Sequence, residues 1–229
     1  MRIYAELVAV PEEVAGLTNA MKLQALASEG ATCALLADGH VACWGTASGT
    51  VLGDGVLRSS FDPVFLDVPA NVVGIDDAID FALGGTLGCA VRANHEVWCW
   101  GGSDYYAMLP RGAFADSAET YQTAVPVHAD LLPGDPADAM EIMIAGNVYV
   151  RRASGDVWMF GIGVAPRAAA APLDHVQRLK AGYSHQCGIT VDGYAICWGS
   201  NSTGSGELGT GHGVPSSSPV PLAVMGDAP

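Results

Sequence analysis

Four hairpins of one design recur along this chain, and three of them carry two cysteines ten residues apart. They run from Cys33 to Cys43-Trp44-Gly45, from Cys89 to Cys99-Trp100-Gly101, and from Cys187 to Cys197-Trp198-Gly199. The remaining copy, third in chain order around Ser154–Gly161, has Tyr149 and Met159 where the cysteines would fall. Both are lost together, as a bonded pair requires, since one survivor would be a stray thiol. Repetition at this period makes the fold a repeat architecture before any motif is weighed.

The first hairpin turns at Ala37-Asp38-Gly39, a three-residue loop with glycine where a left-handed backbone is needed. With Leu36 facing His40, Leu35 faces Val41, Ala34 faces Ala42 and Cys33 faces Cys43. That register puts the cysteines on a non-hydrogen-bonded pair, where Cα atoms approach to about 4.5 Å and a cross-strand disulfide fits. The same reading pairs Cys89 with Cys99 and Cys187 with Cys197. Asp192-Gly193 and Ser154-Gly155 repeat the turn. Asn94-His95 does not, which predicts a histidine forced to positive φ or a different loop. Two other readings of the cysteines, small buried apolar residues or zinc ligands, fit less well. The spacing is equal on opposed strands, no Cys-x-x-Cys occurs, and only Cys187 has a histidine close by, His185.

The 229 residues suffice for one sizeable domain, and half are apolar. The 29 glycines and 13 prolines point to short strands and turns. Net charge is −14, with two lysines, Lys22 and Lys180, and one adjacent basic pair, Arg151-Arg152. Phosphate neutralisation needs clustered cations, so no nucleic acid is expected as a partner. No apolar run is long enough to span a membrane. Met1 is followed by neither a basic start nor an apolar secretory core. Paired cysteines nonetheless argue for an oxidising setting: extracellular, cell surface or periplasmic. The two are reconciled if residue 1 is not the natural start and a longer parent chain supplies the export signal.

A second element precedes each hairpin. Val10–Met21 aligns without gaps to Val68–Ile79, with a trace at Asp138–Ile142 and an apolar alternation near Val176 and Leu179. Residues 11–23 alone could pass for a helix, but the parallel with residues 69–81 favours a turn followed by a strand. Each unit thus reads as a proline-valine strand, a turn, an apolar strand and the hairpin. The expected fold is all-β, a β-propeller built from four-stranded blades, about four of them, as a partial or small ring. The single repeat domain, 1–229, divides into unit 1 (4–60), unit 2 (61–122), unit 3 (123–167), unit 4 (168–217) and the start of a further unit (218–229). Residues 4–10 hold the same place in the pattern as that restart.

Motifs with other chemistry fail on context. Gly204-Ser205-Gly206-Glu207-Leu208-Gly209 has the spacing of a dinucleotide loop, but residues 210–215 cannot open the helix such a loop needs. The histidines, His40, His95, His128, His175, His185 and His212, form no zinc or nucleophile pattern. His185 is read as a core residue, and all five tryptophans lie in the last strand of a hairpin, as core packing requires. Asp76, Asp77 and Asp80, and Asp135, Asp138 and Glu141, lack calcium-loop spacing and are read as solvated turns. No cofactor and no metal is expected. Tyr105, Tyr106 and Met108 lie in the long loop after the second hairpin, where aromatic residues suit contact with a protein partner or tuck over the blade edge.

The repeated Cys-Ala-Leu-x-x-x-Gly-x-Val-x-Cys-Trp-Gly pattern resembles the regulator of chromosome condensation repeat family, and more closely its cysteine-bearing bacterial branch. Unit 1 matches from Cys33 to Gly45. Unit 4 matches best, from Gly182 through Cys187, Cys197 and Asn201 to Gly211; unit 3 is degenerate. The resemblance implies a propeller, but known members form seven blades where this chain has four units. That leaves a segment of a longer chain, which is favoured, a pairing with another copy, or a small closed ring, because an open arc exposes strand edges. Known members exchange nucleotide on a small GTPase, inhibit β-lactamases or sense ultraviolet light, so the fold carries no single function. The favoured reading is a non-enzymatic repeat module for protein-protein interaction. The alternatives are a guanine-nucleotide exchange factor-like regulator of a small GTPase, by family analogy, and a propeller-based hydrolase or lyase.

Overall fold

The computed structural model describes residues 12–26, 30–47, 50–56, 64–101, 121–127, 138–161, 164–168, 173, 175–182, 185–201, 206–211 and 217–224. Among them every regular element is a strand. Four antiparallel four-stranded sheets follow one another along the chain. The first is β1 (Ala20–Ala25), β2 (Ala31–Leu36), β3 (Val41–Ala47) and β4 (Val64–Asn71). The second is β5 (Ala78–Gly84), β6 (Leu87–Arg92), β7 (Val97–Gly101) and β8 (Tyr121–Pro126). The third is β9 (Ala139–Ala145), β10 (Asn147–Arg152), β11 (Val157–Gly161) and β12 (Val164–Ala168). The fourth is β13 (Val176–Ala181), β14 (His185–Thr190), β15 (Ala195–Ser200) and β16 (Ser217–Ala223). This is the β-propeller of four-stranded blades expected from the repeats.

The sheets are offset by one strand from the units of the sequence. The proline-valine strand β4, which heads unit 2 in the sequence pattern, hydrogen-bonds to β3 and closes the first sheet. In the same way β8 closes the second sheet and β16, the restart after residue 217, closes the fourth. The outer strand completes the hairpin before it, and after β4 a short turn carries the chain to β5. After β4, Val72 N–H donates to Val41 C=O (2.8 Å) and Ile75 N–H to Val72 C=O (3.3 Å). Residues 4–10 lie outside the described residues.

All four hairpins close alike. Leu36 N–H donates to His40 C=O, Arg92 to Glu96, Arg152 to Asp156 and Thr190 to Tyr194, each at 2.9 Å. The glycine site of the turn has φ 87° at Gly39, 88° at Gly155 and 84° at Gly193, and His95 is forced to 66° in the copy that lacks glycine. The glycine of each Trp-Gly pair has its own cause. Gly45, Gly101 and Gly199 have φ of 99°, 113° and 107°, at the bulge where the outer strand changes register. A Cβ on Gly45 or Gly101 would run into the carbonyl of Gly30 or Thr86.

The core lies between sheets, because side chains alternate across each strand. Cys33, Leu35, Val41 and Cys43 of the first sheet pack against Phe81, Leu83, Ala90 and Trp100 of the second. Cys89, Val91, Val97 and Cys99 meet Ile142, Ile144 and Phe160 of the third. Met143, Tyr149 and Val157 meet Val176, Leu179 and Trp198 of the fourth. Each sheet therefore has a leading face, bearing the tryptophan or its stand-in Phe160, and a trailing face, bearing the cysteines or Tyr149 and Met159.

Candidate functional site

The three cysteine pairs are disulfides: Cys33–Cys43, Cys89–Cys99 and Cys187–Cys197. Each joins directly opposed residues, with Cα atoms 4.0, 4.0 and 4.1 Å apart, closer than the roughly 4.5 Å of an ordinary non-hydrogen-bonded pair. Tyr149 and Met159 occupy that register in the third sheet.

A charged residue recurs on the inner strands, which together bound an axial cavity of about 230 Å³. Each inner strand shifts register by one residue near its start, and the residue just past the shift is Lys22, Asp80, Glu141 or Arg178. In the first three sheets this residue grips the next inner strand, one residue beyond the corresponding site. Lys22 Nζ donates to Phe81 C=O at 2.7 Å and pairs with the Asp80 carboxylate. Asp80 Oδ2 accepts from Ile142 N–H at 2.9 Å. Glu141 Oε2 accepts from Leu179 N–H at 3.2 Å, and from Arg151 Nε at 3.0 Å. Gln24 adds a two-point contact, donating to Leu83 C=O (2.8 Å) and accepting from Leu83 N–H (3.0 Å). The one cation, Lys22, reaches a carbonyl; the two carboxylates, Asp80 and Glu141, each reach an amide.

At the rim, the turns of the first three hairpins clasp the first residue of the next inner strand. Ala78 N–H donates to Gly39 C=O (2.9 Å) and Val176 N–H to Gly155 C=O (3.2 Å). Where His95 replaces glycine, its Nδ1 lies 2.8 Å from Ala139 C=O instead. Arg92 joins Asp76 and Asp77 and lies over the Trp98 ring, 4.6 Å from its centroid. The hydrogen bond to Asp77 raises its already high pKa. Trp98 Nε1 donates to Glu96 Oε2 at 3.1 Å, and this bond holds the Glu96 carboxyl below the usual glutamate range. The backbone N–H of His40, 3.2 Å from Asp38, likewise lowers the Asp38 carboxyl.

The two end faces differ from the interior ones. Leu23 is 61% exposed, whereas its counterparts Phe81, Ile142 and Leu179 are at 0, 2 and 2%. On the trailing face of the fourth sheet Ile189 is 46% exposed, against 6% for Leu35 and 0% for Val91. Ala195 is exposed where Val41, Val97 and Val157 are buried. A Cβ on Gly39 would meet Asp77 Cα at 2.7 Å and one on Gly155 would meet His175 Cα at 2.9 Å, but one on Gly193 meets nothing within 4 Å.

Asp80 and Glu141 correct the sequence reading. They are not in solvated turns but in inner strands, with side chains 12% exposed and engaged as above. Asp76 and Asp77 do lie in a turn, with Arg92, and Asp138 pairs with Arg152. Asp135 lies outside the described residues, as do Tyr105, Tyr106 and Met108. Gly206–Gly209 forms a turn closed by Gly209 N–H on Gly206 C=O at 2.9 Å. The His185 ring packs over Gly182. The inner-strand grip was missed because a single charge per strand looks like a solvent-facing residue. Its signal was there: Ala20-Met21-Lys22-Leu23, Ala78-Ile79-Asp80-Phe81, Ala139-Met140-Glu141-Ile142 and Val176-Gln177-Arg178-Leu179 place one charge at the same step.

Residues 176–205 match the profile of the regulator of chromosome condensation (RCC1) repeat. The chain is 24% identical over 213 residues to the E3 ubiquitin-protein ligase HERC2 of Homo sapiens, an alignment covering 82% of this chain and 4% of the ligase. In structure it resembles human WBSCR16, with TM-score 0.69 and 18% identity over 91% of this chain and 53% of that one. It also resembles Prp20p from Saccharomyces cerevisiae, with TM-score 0.61 and 19% identity over 87% of this chain and 49% of that one. The chain thus spans about half the length of these solved structures.

Proposed function

We propose that this chain, a run of four regulator of chromosome condensation repeats with the third degenerate, is a non-enzymatic protein-binding module that works in an oxidising compartment. The observation that carries the reading is a pair of exposed apolar positions on the first and fourth sheets. Leu23 and Ile189 stand exposed at positions that every neighbouring sheet with an apolar residue there buries. Apolar side chains exposed at such positions suit an interaction surface, because covering them recovers about 25 cal/mol for each Å² removed from water. Tyr105, Tyr106 and Met108, which lie outside the described residues, are part of the same proposal, as a second contact.

The three disulfides support export or surface display, since a reducing cytosol would keep such thiols free. The fold likeness brings no exchange activity with it; that belongs to the alternative reading, in which the protein works in a reducing compartment with free thiols. Two measurements separate the readings. Titrating the unfolded, unreduced protein taken from its native source finds no free thiol under the first and all six under the second. A photo-cross-linking residue at position 23 or 189 captures protein in the native source, whereas one at the exposed Phe65 of β4 does not. Equal capture at all three positions, or turnover of generic hydrolase substrates by the purified chain, counts against the proposal.

A further inference from the structure

The end faces also differ in charge, and the grip on the inner strands says what each can accept. Lys22, Asp80 and Glu141 each hold the strand that follows. Arg178 occupies the same step in the fourth sheet, is exposed, and its side chain has no hydrogen-bond or ion-pair partner among the described residues. Lys180 stands two residues on, in the place where Gln24 holds Leu83. Both lysines of the chain and one of its eight arginines are thus spent on this inner-strand position or beside it, in a protein of net charge −14.

The molecule contains one worked example of a cation at this step. Lys22 donates to the carbonyl of Phe81 and, at the same time, to the carboxylate of Asp80. A cationic grip therefore calls for an acidic residue at the matching step of the strand it meets, followed by an apolar residue. The leading sheet of this chain has the apolar residue, Leu23, but carries Lys22 at that step. Packing a second copy head to tail by the same geometry would set Arg178 against Lys22.

We propose that the trailing face of the fourth sheet docks a further propeller-type sheet whose inner strand carries Asp or Glu at the shifted step, and that the charge at that step excludes a second copy of this chain. The apolar contact would come from Ile189 and Ala195, and the selection from Arg178 and Lys180. Like charges juxtaposed at an interface reject a wrong partner, while opposite charges there admit one. This rests on the reading that the end faces are covered by protein.

A charge-reversal cycle on the full chain tests it, read by sedimentation velocity across a concentration series. The wild-type chain stays monomeric. Arg178→Glu gives an exposed carboxylate that accepts from Leu23 N–H of a second copy, as Glu141 does from Leu179, and faces Lys22; it associates at least about tenfold more tightly than wild type. Lys22→Glu supplies the acidic partner for Arg178 from the other side and also associates. The double variant, with two glutamates opposed, returns to monomer. Leu23→Asp added to Arg178→Glu abolishes its association, which ties the gain to this face. Because the Arg178 side chain is exposed and makes no internal bond, its reversal leaves the fold intact, so the cycle stands even if Lys22→Glu is destabilised. The proposal is overturned if wild type and Arg178→Glu have the same oligomeric state, or if wild type self-associates through a contact that Leu23→Asp breaks. Such a result leaves the protein-covered faces standing; those fail if Leu23 and Ile189 stay uncovered in the native source.

Discussion

Tyr149 stands opposite Met159 in the register that holds a disulfide in the other three sheets, and its ring meets Trp198 of the next sheet edge-on, with centroids 6.1 Å apart. The third sheet has exchanged a covalent staple for an aromatic contact across the interface. Tyr149 is 4% exposed and Trp198 5%, so the contact is buried.

Restoring the cysteines would therefore close a bond and open a cavity. Tyr149→Cys with Met159→Cys is expected to form the disulfide, since the backbone register already matches. The gain of about 2–4 kcal/mol from the cross-link is offset by about 3–5 kcal/mol for removing a large buried side chain. No net stabilisation is expected: unfolded-state thiol counts show the bond formed, while the urea midpoint stays level or falls.

Gly39 and Gly193 share a backbone conformation but not a neighbour. Alanine at Gly193 incurs only the left-handed penalty, about 1–2 kcal/mol. Alanine at Gly39 incurs that and must also push Asp77 away, a further ~1–3 kcal/mol. Urea unfolding of the two variants, compared side by side, should show the larger loss at Gly39. Equal losses would mean that a sheet also packs on Gly193.

Asp80 links three sheets, holding Lys22 on one side and Ile142 N–H on the other. Asp80→Ala strands both. Removing one partner of a fully buried pair costs about 3–5 kcal/mol, but the Lys22 side chain is 30% exposed and water takes up part of the loss, leaving about 2 kcal/mol. In a double-mutant cycle Lys22→Ala with Asp80→Ala should cost less than the sum of the single changes. Strict additivity would show that the pair is not coupled.

Glu96 gives the rim a pH dependence with a definite sign. The bond from Trp98 favours the carboxylate, so the folded pKa lies below the unfolded one. The stabilisation is complete above the unfolded value and is lost as pH falls through the folded one. Wild type should lose more stability than Glu96→Gln between about pH 6 and about pH 3, by well under about 1 kcal/mol because the site is partly exposed. Trp98 fluorescence during acidification reports the same step; identical acid profiles for the two proteins would contradict it.

The repeats made the sheets, their strand content and the cysteine register legible, because each depends on short-range patterns: turn glycines, alternation and a fixed spacing between Cys33 and Cys43. Strained His95 was legible for the same reason, as the one turn without glycine. The phase of the sheets was not. The sequence shows β4 beside the turn that follows it, whereas its hydrogen bonds run back to β3. The grip by Lys22, Asp80 and Glu141 was hidden too. It depends on contacts 38 to 62 residues apart between strands that never hydrogen-bond as a ladder, and a lone charge in a strand looks solvated until its neighbour is in place.

Side-chain footprinting by hydroxyl radicals, performed once in the native source and once on the purified chain, is the sharpest measurement. Leu23 and Ile189 should be labelled strongly in the purified chain and protected in the native source, with Phe65 labelled alike in both. Equal labelling of Leu23 and Ile189 in the two settings would show that nothing covers these faces, and would contradict the proposal that they bind protein.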